Sequence, residues 1–348
     1  MPSFLASDRW ICATILLGAL FCAPPQSRAD DFPPRIPECH GRDLLADLKV
    51  NKPQAYDLWV NAARAIPNSE AILWRIDGNG LAEPSWLFGT IHVTDSRILN
   101  IPVEVQEVFF KAKTLAVENR DLDKRWADFF NILFALPLIY LPDGMTWEQY
   151  LTKSELDFME TELHAYGYTV SALHRMQPWA ALMSILFYPN CEAWRVYLGV
   201  NFLDAELSSW ARQAGKPVIG LETRYETSKA VAGTSLESQF KTMLLFAKAM
   251  EAPEDEQETN IQIYLARRLG LYLAYERGTY EIGPDELAAV KEFEHHVLTM
   301  RNLTMRDRSL PLIRKGNAFI AVGAAHLPGD QGLVELFRKV GYEVTPIN

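Results

Sequence analysis

The sequence predicts an α/β (α+β) fold: one domain whose central sheet carries a large helical insertion. The main observation is a pattern that occurs twice, an apolar run followed by Gly-x-x-His, in Trp86–Val93 and again in Phe319–Leu327. After each copy come a loop, an amphipathic segment and a second apolar run. Short continuous apolar runs are typical of strands buried on both faces. Both ends of the chain are therefore predicted to fold as strand, Gly-x-x-His, helix, strand.

The two histidines of this repeat, His92 and His326, are candidate site residues. Ligands of open α/β sheets bind at the carboxyl ends of strands, and a glycine there lets a ligand or another backbone approach closely. A single histidine at a strand end is more often a hydrogen-bonded structural residue. Two copies in matching contexts favour a shared site.

The amino-acid composition limits the classes of protein to which this chain can belong. The chain has 348 residues, of which 49% are hydrophobic and 22% charged, as in a globular protein with a large core. Its formal net charge of -10 argues against nucleic-acid binding, which needs a basic face. The expected substrate is a peptide or a small molecule.

The N-terminal residues 1–29 have the pattern of a secretory signal. Arg9 supplies the positive charge, Trp10–Ala23 the apolar run, and Ser27–Ala29 a cleavage site with small residues. A retained anchor is the alternative, but the run is shorter than the roughly 20 residues of a spanning helix. We expect export to the periplasm or the medium, with no transmembrane segment in the mature chain.

Two cysteines remain after this cleavage, Cys39 and Cys191. An even number of cysteines in an exported protein is compatible with a disulfide. Two independent thiols are the alternative. A zinc-site signature is not present, because the two are too few and too far apart in sequence.

The rest of the chain is divided by its periodicity. Residues 30–70 have helical spacing and form a predicted helical preface. A hairpin is expected around Asp77–Gly80, since Asp-Gly and Asn-Gly favour tight turns. A helical insertion is expected over about 123–315, interrupted by the strand Pro217–Glu222; its aromatic stripes are interpreted as core. Its long helices are predicted at Ser235–Met250, Pro253–Arg277 and Pro284–Lys315.

Two carboxylates lie at the C-terminal ends of predicted strands, Glu118 after the first motif and Glu222 later in the chain. A carboxylate is unexpected in an apolar run unless it is used at the sheet edge. The alternatives are a salt bridge to Arg120 or an exposed strand end for Glu118, and a helix cap for Glu222. The adjacent pair His295–His296 points in two directions on a helix and is interpreted as surface.

Several segments together resemble one known family. The chain is similar to the TraB/GumN family over about residues 71–348, which we describe as a TraB/GumN-like domain. That family includes the Tiki-type metal-dependent membrane proteases of animals and is distantly related to erythromycin-esterase and ChaN-like proteins. The segments that carry the resemblance are Leu73–Ile76, Phe88–Val93, Glu118, Gly215–Thr223, Arg301–Asn302 and Val322–Gly329.

The resemblance implies roles for specific residues. His92, His326 and Glu118 would bind a divalent ion, with manganese or cobalt ranked ahead of zinc. Glu222 or Asp204 would handle protons, although the family's Gly-x-Asp is here Phe202-Leu203-Asp204. Arg301 would neutralise a carboxylate or an oxyanion.

The leading hypothesis is thus an exported metal-dependent hydrolase, a peptidase of the Tiki type. A second hypothesis is a metal-independent, esterase-like hydrolase, although the chain has no Gly-x-Ser-x-Gly. A third, from a different class, is a non-catalytic binding or assembly protein of the cell envelope, linked to exopolysaccharide or pheromone functions. Bound metal after purification would distinguish these classes.

Overall fold

The computed structural model describes residues 36–120, 135–249, 252–278 and 283–347. The predicted signal segment and residues 123–134 of the predicted insertion lie outside these ranges. No helix in the described ranges is both long enough and apolar enough to span a bilayer.

A six-stranded mixed sheet lies at the centre of the described chain, in the order β4-β3-β5-β2-β1-β6. Pairing is parallel from β4 through β2, whereas β1 is antiparallel to both β2 and β6. The predicted α/β fold with a helical insertion is confirmed. The strands are β1 Leu73–Asp77, β2 Ser85–Thr90, β3 Thr114–Asn119, β4 Val218–Glu222, β5 Ala318–Gly323 and β6 Glu343–Ile347.

The predicted hairpin is formed by β1 and β2. Its turn has positive φ angles at Gly78, Asn79 and Gly80, which glycine and asparagine tolerate best. The two motif strands, β2 and β5, are direct parallel neighbours, with Thr90 opposite Gly323. Strand β5 therefore lies between β2 and β3, the two strands of the first repeat unit.

Helices surround this sheet and fill the insertion. The helix predicted at Pro253–Arg277 is in fact two helices, because the chain turns at Arg267 with a φ of 57°. The helix predicted from Pro284 to Lys315 forms, with one π-helical turn at His295–Thr299. The α-helices of the described ranges include Leu44–Asn51, Pro53–Arg64, Ser96–Leu99, Val103–Lys111, Lys153–Ala165, Val170–Leu173, Pro178–Ala181, Asn190–Tyr197, Leu203–Gln213, Arg224–Ala232, Leu236–Ala249, Pro253–Leu265, Leu269–Gly278, Pro284–Glu294, Met300–Lys315 and Leu333–Lys339.

Buried apolar side chains form three clusters among the described residues. The largest packs around the sheet and contains both motif strands, including Phe88 and Phe319. A second lies within the helical insertion and contains Trp147 and Trp179, so these aromatic side chains are core, as predicted. The third joins the N-terminal helices to later ones, for example Leu45 with neighbours such as Ile263.

The N-terminal segment is fastened to the body of the protein. Cys39 and Cys191 form a disulfide, with their Cα atoms 5.4 Å apart. Arg42 makes a 2.7 Å ion pair with Asp255. Gly41 packs so closely on the helix Pro253–Leu265 that a Cβ there would lie 1.8 Å from the Glu254 carbonyl oxygen. Of the two alternatives for the cysteines, the structure selects the disulfide.

Candidate functional site

The carboxyl ends of four parallel strands meet at one edge of the sheet. His92 follows β2, Glu118 ends β3, Glu222 ends β4 and His326 follows β5. The register fixes this meeting, because Thr90 lies opposite Gly323, and Asn119 lies opposite Glu222. Side chains from distant parts of the sequence are therefore brought to one edge by strand pairing alone.

Gly323 marks the point where three of these side chains converge. A Cβ at Gly323 would lie 3.1 Å from Oε1 of Glu118, 3.6 Å from Cδ2 of His326 and 3.8 Å from Nε2 of His92. The backbone at Gly323 has a φ of -50°, which any residue can adopt. This glycine is thus needed for the space that its missing side chain leaves between the three groups.

Gly89, the glycine of the first motif, has a different task. A Cβ there would lie 3.1 Å from Cα of Ala324 and 3.0 Å from Cδ2 of Leu327. Its small size lets the turn of the second motif, Ala324–His326, pack directly on β2. The carbonyl oxygen of Gly89 accepts a 2.7 Å hydrogen bond from the hydroxyl of Tyr264, which fixes the end of this strand.

His326 is held in one tautomer by Asn302. The amide nitrogen of Asn302 donates to the carbonyl oxygen of Gln331 at 2.8 Å, so its Oδ1 faces Nδ1 of His326 at 2.7 Å. Since Oδ1 can only accept, Nδ1 carries the hydrogen and Nε2 is left with a lone pair. Burial lowers the pKa of His326 to about 3, with Glu118 opposing this shift and Arg301 adding to it. The imidazole is therefore neutral at neutral pH.

His92 faces a carboxylate instead of an amide. Its Nδ1 lies 3.1 Å from Oδ2 of Asp204, although the angles of this contact fall short of a hydrogen bond. The hydroxyl of Thr90 donates to the other oxygen of Asp204 at 2.7 Å. Asp204 is fully buried, whereas 38% of the His92 side chain is exposed. Burial alone would lower the pKa of His92, but attraction to Asp204 and Glu118 outweighs it and raises the pKa to about 9.

Arg301 bridges the two strand-end carboxylates. Its Nη2 donates to Oε2 of Glu118 at 2.7 Å and its Nε donates to Oε2 of Glu222 at 2.8 Å. The three side chains are at most 8% exposed, so the ion pairs are shielded from solvent. Its Nη1 donates to the carbonyl oxygen of Val297 in the π-helical turn. The guanidinium is thus fixed, and its charge is matched by carboxylates.

The environments of the two glutamates push their pKa values apart. Burial raises the pKa of both, but Arg301 and the neighbouring imidazoles hold the pKa of Glu118 well below its usual range. The Gly323 N–H adds to this by donating to Oε1 of Glu118 at 2.7 Å. For Glu222, burial outweighs Arg301 and leaves its pKa raised. One carboxylate is therefore held ionised while its neighbour more readily keeps a proton.

Four further residues near the site have no role that the sequence predicts. Asn302 stands out in the sequence only as the neighbour of Arg301, and Thr90 only as a member of the first motif. Tyr264 lies far along the chain, and only folding brings its hydroxyl to Gly89. Tyr188 has no signal in the sequence; burial and the negative charges of Glu192, Asp204 and Glu118 raise its pKa.

The pair His295–His296 lies away from this site. His295 is exposed, as expected, while His296 is half-buried with its ring against the chain at Gly233. Neither belongs to the converging group around Gly323.

The converging group is not a finished metal-ligand set. Across the described ranges, no three His, Cys, Asp or Glu side chains already have the arrangement of ligands around one ion. His326 Nε2, for example, lies 3.6 Å from Oε1 of Glu118, and that carboxylate is shared with Arg301 and Gly323.

Comparison with known proteins identifies the family of this chain. Neither the curated proteins nor the solved structures gave a match. The model of the TraB/PrgY/gumN family matches residues 72–346, which include both Gly-x-x-His motifs, Glu118, Glu222 and Arg301. That range covers most of the chain, and the protein therefore belongs to the TraB/PrgY/gumN family.

Proposed function

We propose that this protein is an exported metal-dependent hydrolase that cleaves peptide bonds, as Tiki-type members of its family do. One observation carries the proposal: His92 Nε2, the His326 ring and Glu118 Oε1 all lie within 4 Å of the position that a Cβ on Gly323 would occupy. Two imidazoles and one carboxylate form a ligand set that suits manganese, cobalt or zinc and leaves room for water.

The donor atoms fit a divalent ion in their chemistry. His326 is neutral with its Nε2 lone pair free of a proton, since Asn302 takes the Nδ1 hydrogen. Oδ2 of Asp204 lies 3.1 Å from Nδ1 of His92, while Nε2 lies on the side of Gly323. Because its pKa is raised to about 9, His92 would have to release a proton when it binds the metal. Histidines that bind metals commonly have such a partner on their second nitrogen. Glu118 is ionised, as a ligand must be.

A bound divalent ion in this position would act as a Lewis acid that polarises a carbonyl and activates water. The protein's own residues would then supply orientation and protons. Arg301 would keep Glu118 ionised and fixed. Neutralising a carboxylate is one of the two roles expected for Arg301, the other being to neutralise an oxyanion. Glu222, whose raised pKa favours a proton, would exchange protons at the site.

Metal analysis of the purified mature protein tests this proposal, together with peptide hydrolysis by the same samples. We expect about one equivalent of metal, and loss of both metal and hydrolysis in His92→Ala and His326→Ala. His164→Ala is the matched control, because His164 is exposed and pairs only with Glu160 on its own helix. If the wild-type protein binds no manganese, cobalt or zinc, the metal-dependent proposal is wrong.

The pair of Asp204 and His92 favours a second candidate, a metal-independent hydrolase. A buried carboxylate 3.1 Å from Nδ1 of a partly exposed imidazole resembles the pairing of an acid–base catalyst. With its pKa raised to about 9, His92 would act as a general acid at neutral pH and as a general base only after losing that proton. In that case hydrolysis would persist in a metal-free sample with excess chelator and would fall strongly in Asp204→Asn.

Export is proposed on separate grounds. Cys39 and Cys191 form a disulfide, and such bonds form and persist mainly in oxidising compartments. N-terminal sequencing of the product from the native host tests this point. We expect the mature chain to begin at Asp30, and an intact Met1 would contradict it.

A further inference from the structure

Thr94, two residues after His92, is fully buried, and both its hydroxyl and its backbone are bound by one helix, Asn190–Tyr197. The Thr94 N–H donates to Oε1 of Glu192 at 2.6 Å, and its hydroxyl donates to Oε2 of the same carboxylate at 3.0 Å. Gln257 also donates to Oε2. All of these partners are donors, so the site requires an acceptor-only carboxylate at Glu192.

Arg195, one turn further along that helix, binds the remaining polar groups of Thr94. Its Nε donates to the Thr94 hydroxyl oxygen at 2.6 Å, and its Nη2 donates to the Thr94 carbonyl oxygen at 3.1 Å. Its Nη1 reaches the carbonyl oxygen of Pro37 in the N-terminal segment. Thr94 therefore has its N–H, carbonyl and hydroxyl all fixed by two side chains of one helix.

The same helix is tied to the N-terminal segment by a covalent bond. Cys191 immediately precedes Glu192 and is bonded to Cys39, which lies two residues from Pro37. The loop after the first motif, the helix Asn190–Tyr197 and the N-terminal segment thus share one junction.

We propose that Glu192 and Arg195 are positioning residues that set the direction of the His92 imidazole through Thr94, and that the disulfide Cys39–Cys191 holds their helix in place. Only two peptide units separate His92 from Thr94. Fixing all polar groups of Thr94 limits the backbone freedom of His92, whose side chain is 38% exposed and contacts the ring of Phe202 edge-on, with 5.3 Å between the ring centroids. This inference adds to the proposed function, and its metal-binding test depends on that function.

Nuclear magnetic resonance on the metal-free protein tests this inference without any assumption about turnover. The imidazole signals of 15N-histidine-labelled protein are recorded, and that of His92 is identified by its loss in His92→Ala. Glu192→Gln keeps the size of the side chain but places a donor where Thr94 and Gln257 need an acceptor. We expect the His92 signal to shift or to split into several environments.

Glu258→Gln is the matched control. Glu258 is also a carboxylate that holds this loop, through a bidentate contact with Arg97, but it does not bind Thr94. We expect wild-type His92 signals from this variant. If Glu192→Gln does not fold, Thr94→Val removes only the hydroxyl and should still shift the His92 signal. Wild-type His92 signals in a folded Glu192→Gln or Thr94→Val protein would overturn the inference.

Manganese binding provides the second readout. In Glu192→Gln we expect affinity to fall by about 10-fold or more, as for other residues that orient a metal ligand, while Glu258→Gln keeps the wild-type affinity. A wild-type protein that binds none of manganese, cobalt and zinc would contradict the proposed function, whereas the His92 signals would still decide the positioning role. The disulfide is tested with Cys39→Ser/Cys191→Ser, in which an unchanged His92 signal would overturn its part.

Discussion

The backbone N–H of Gly323 donates a 2.7 Å hydrogen bond to Oε1 of Glu118, so the second motif binds directly to the carboxylate that follows the first. This contact joins β5 to the end of β3 at the point where His92 and His326 also converge. The space beside Gly323 is therefore the most sensitive position of the candidate site.

Gly323→Ala should block the site without unfolding the protein. The new Cβ would lie 3.1 Å from Oε1 of Glu118, so this carboxylate must shift, and it would fill the space beside both histidines at ordinary contact distance. A misplacement of about 1 Å at a catalytic site can cost about 100-fold in turnover. We expect hydrolysis to fall by about that factor, with a thermal midpoint close to that of the wild type.

Gly89→Ala is the informative comparison, because its Cβ would meet the backbone of Ala324 and the side chain of Leu327. Overpacking of this kind destabilises a core by about 1–3 kcal/mol. Urea unfolding should therefore show a loss of stability for Gly89→Ala that Gly323→Ala does not share. Equal destabilisation of both variants would contradict the two separate tasks assigned to these glycines.

Arg301→Ala should destabilise the protein strongly. It leaves Glu118 and Glu222 buried without their shared cation, and breaking a buried ion pair costs about 3–5 kcal/mol. Arg308→Ala, on the same helix, removes a half-exposed pair with Glu226 and a hydrogen bond to the Leu221 carbonyl oxygen, and should cost about 1–2 kcal/mol. Chemical denaturation of both variants measures the difference, and similar small losses would mean that the buried network contributes little.

The stability of the metal-free protein should depend on pH in two separate windows. The folded pKa of His326 is lowered to about 3, so below about pH 6.5 the unfolded chain binds a proton that the folded chain does not. Stability should fall as the pH drops from about 6.5 towards 3. The folded pKa of His92 is raised to about 9, so its contribution is complete below about 6.5 and is lost as the pH rises through 9.

Urea midpoints measured across this range with chelator present would separate the two histidines. In a plot of urea midpoint against pH, His326→Gln should reduce the loss of stability on the acid side, here called the acid limb. His92→Gln should reduce the loss on the alkaline side. An acid limb that is unchanged in His326→Gln would show that carboxylates alone cause it.

Removal of the disulfide by Cys39→Ser/Cys191→Ser should lower stability by about 2–5 kcal/mol, since the bridge closes a long loop in the unfolded chain. The sequence separation of the two cysteines is 152 residues. Thermal unfolding with and without reductant is the measurement. A wild-type protein whose midpoint does not change on reduction would contradict a stabilising bridge.

The sequence by itself determined the elements that depend on local patterns. The repeated Gly-x-x-His motifs, the hairpin before the first motif and the carboxylates at strand ends follow from short apolar runs and turn residues. Because the carboxyl ends of parallel strands share one edge, these patterns also placed His92, Glu118, Glu222 and His326 at that edge. The break at Arg267 does not follow from the local pattern, since no proline or glycine lies between the two helices and Gly270 is already inside the second one.

The tertiary structure decided which distant groups meet. Strand β5 lies between the two strands of the first unit, so Gly323 reaches Glu118, a pairing that local periodicity does not encode. The partners of the imidazoles, Asp204 and Asn302, lie on helices, and their roles depend on how those helices pack on the sheet. The sequence left Arg301 a choice between carboxylate and oxyanion and the cysteines a choice between bridge and free thiols. Packing joined the two cysteines and placed Arg301 between Glu118 and Glu222, because burial and distance between groups far apart in the chain are set only once the core has formed.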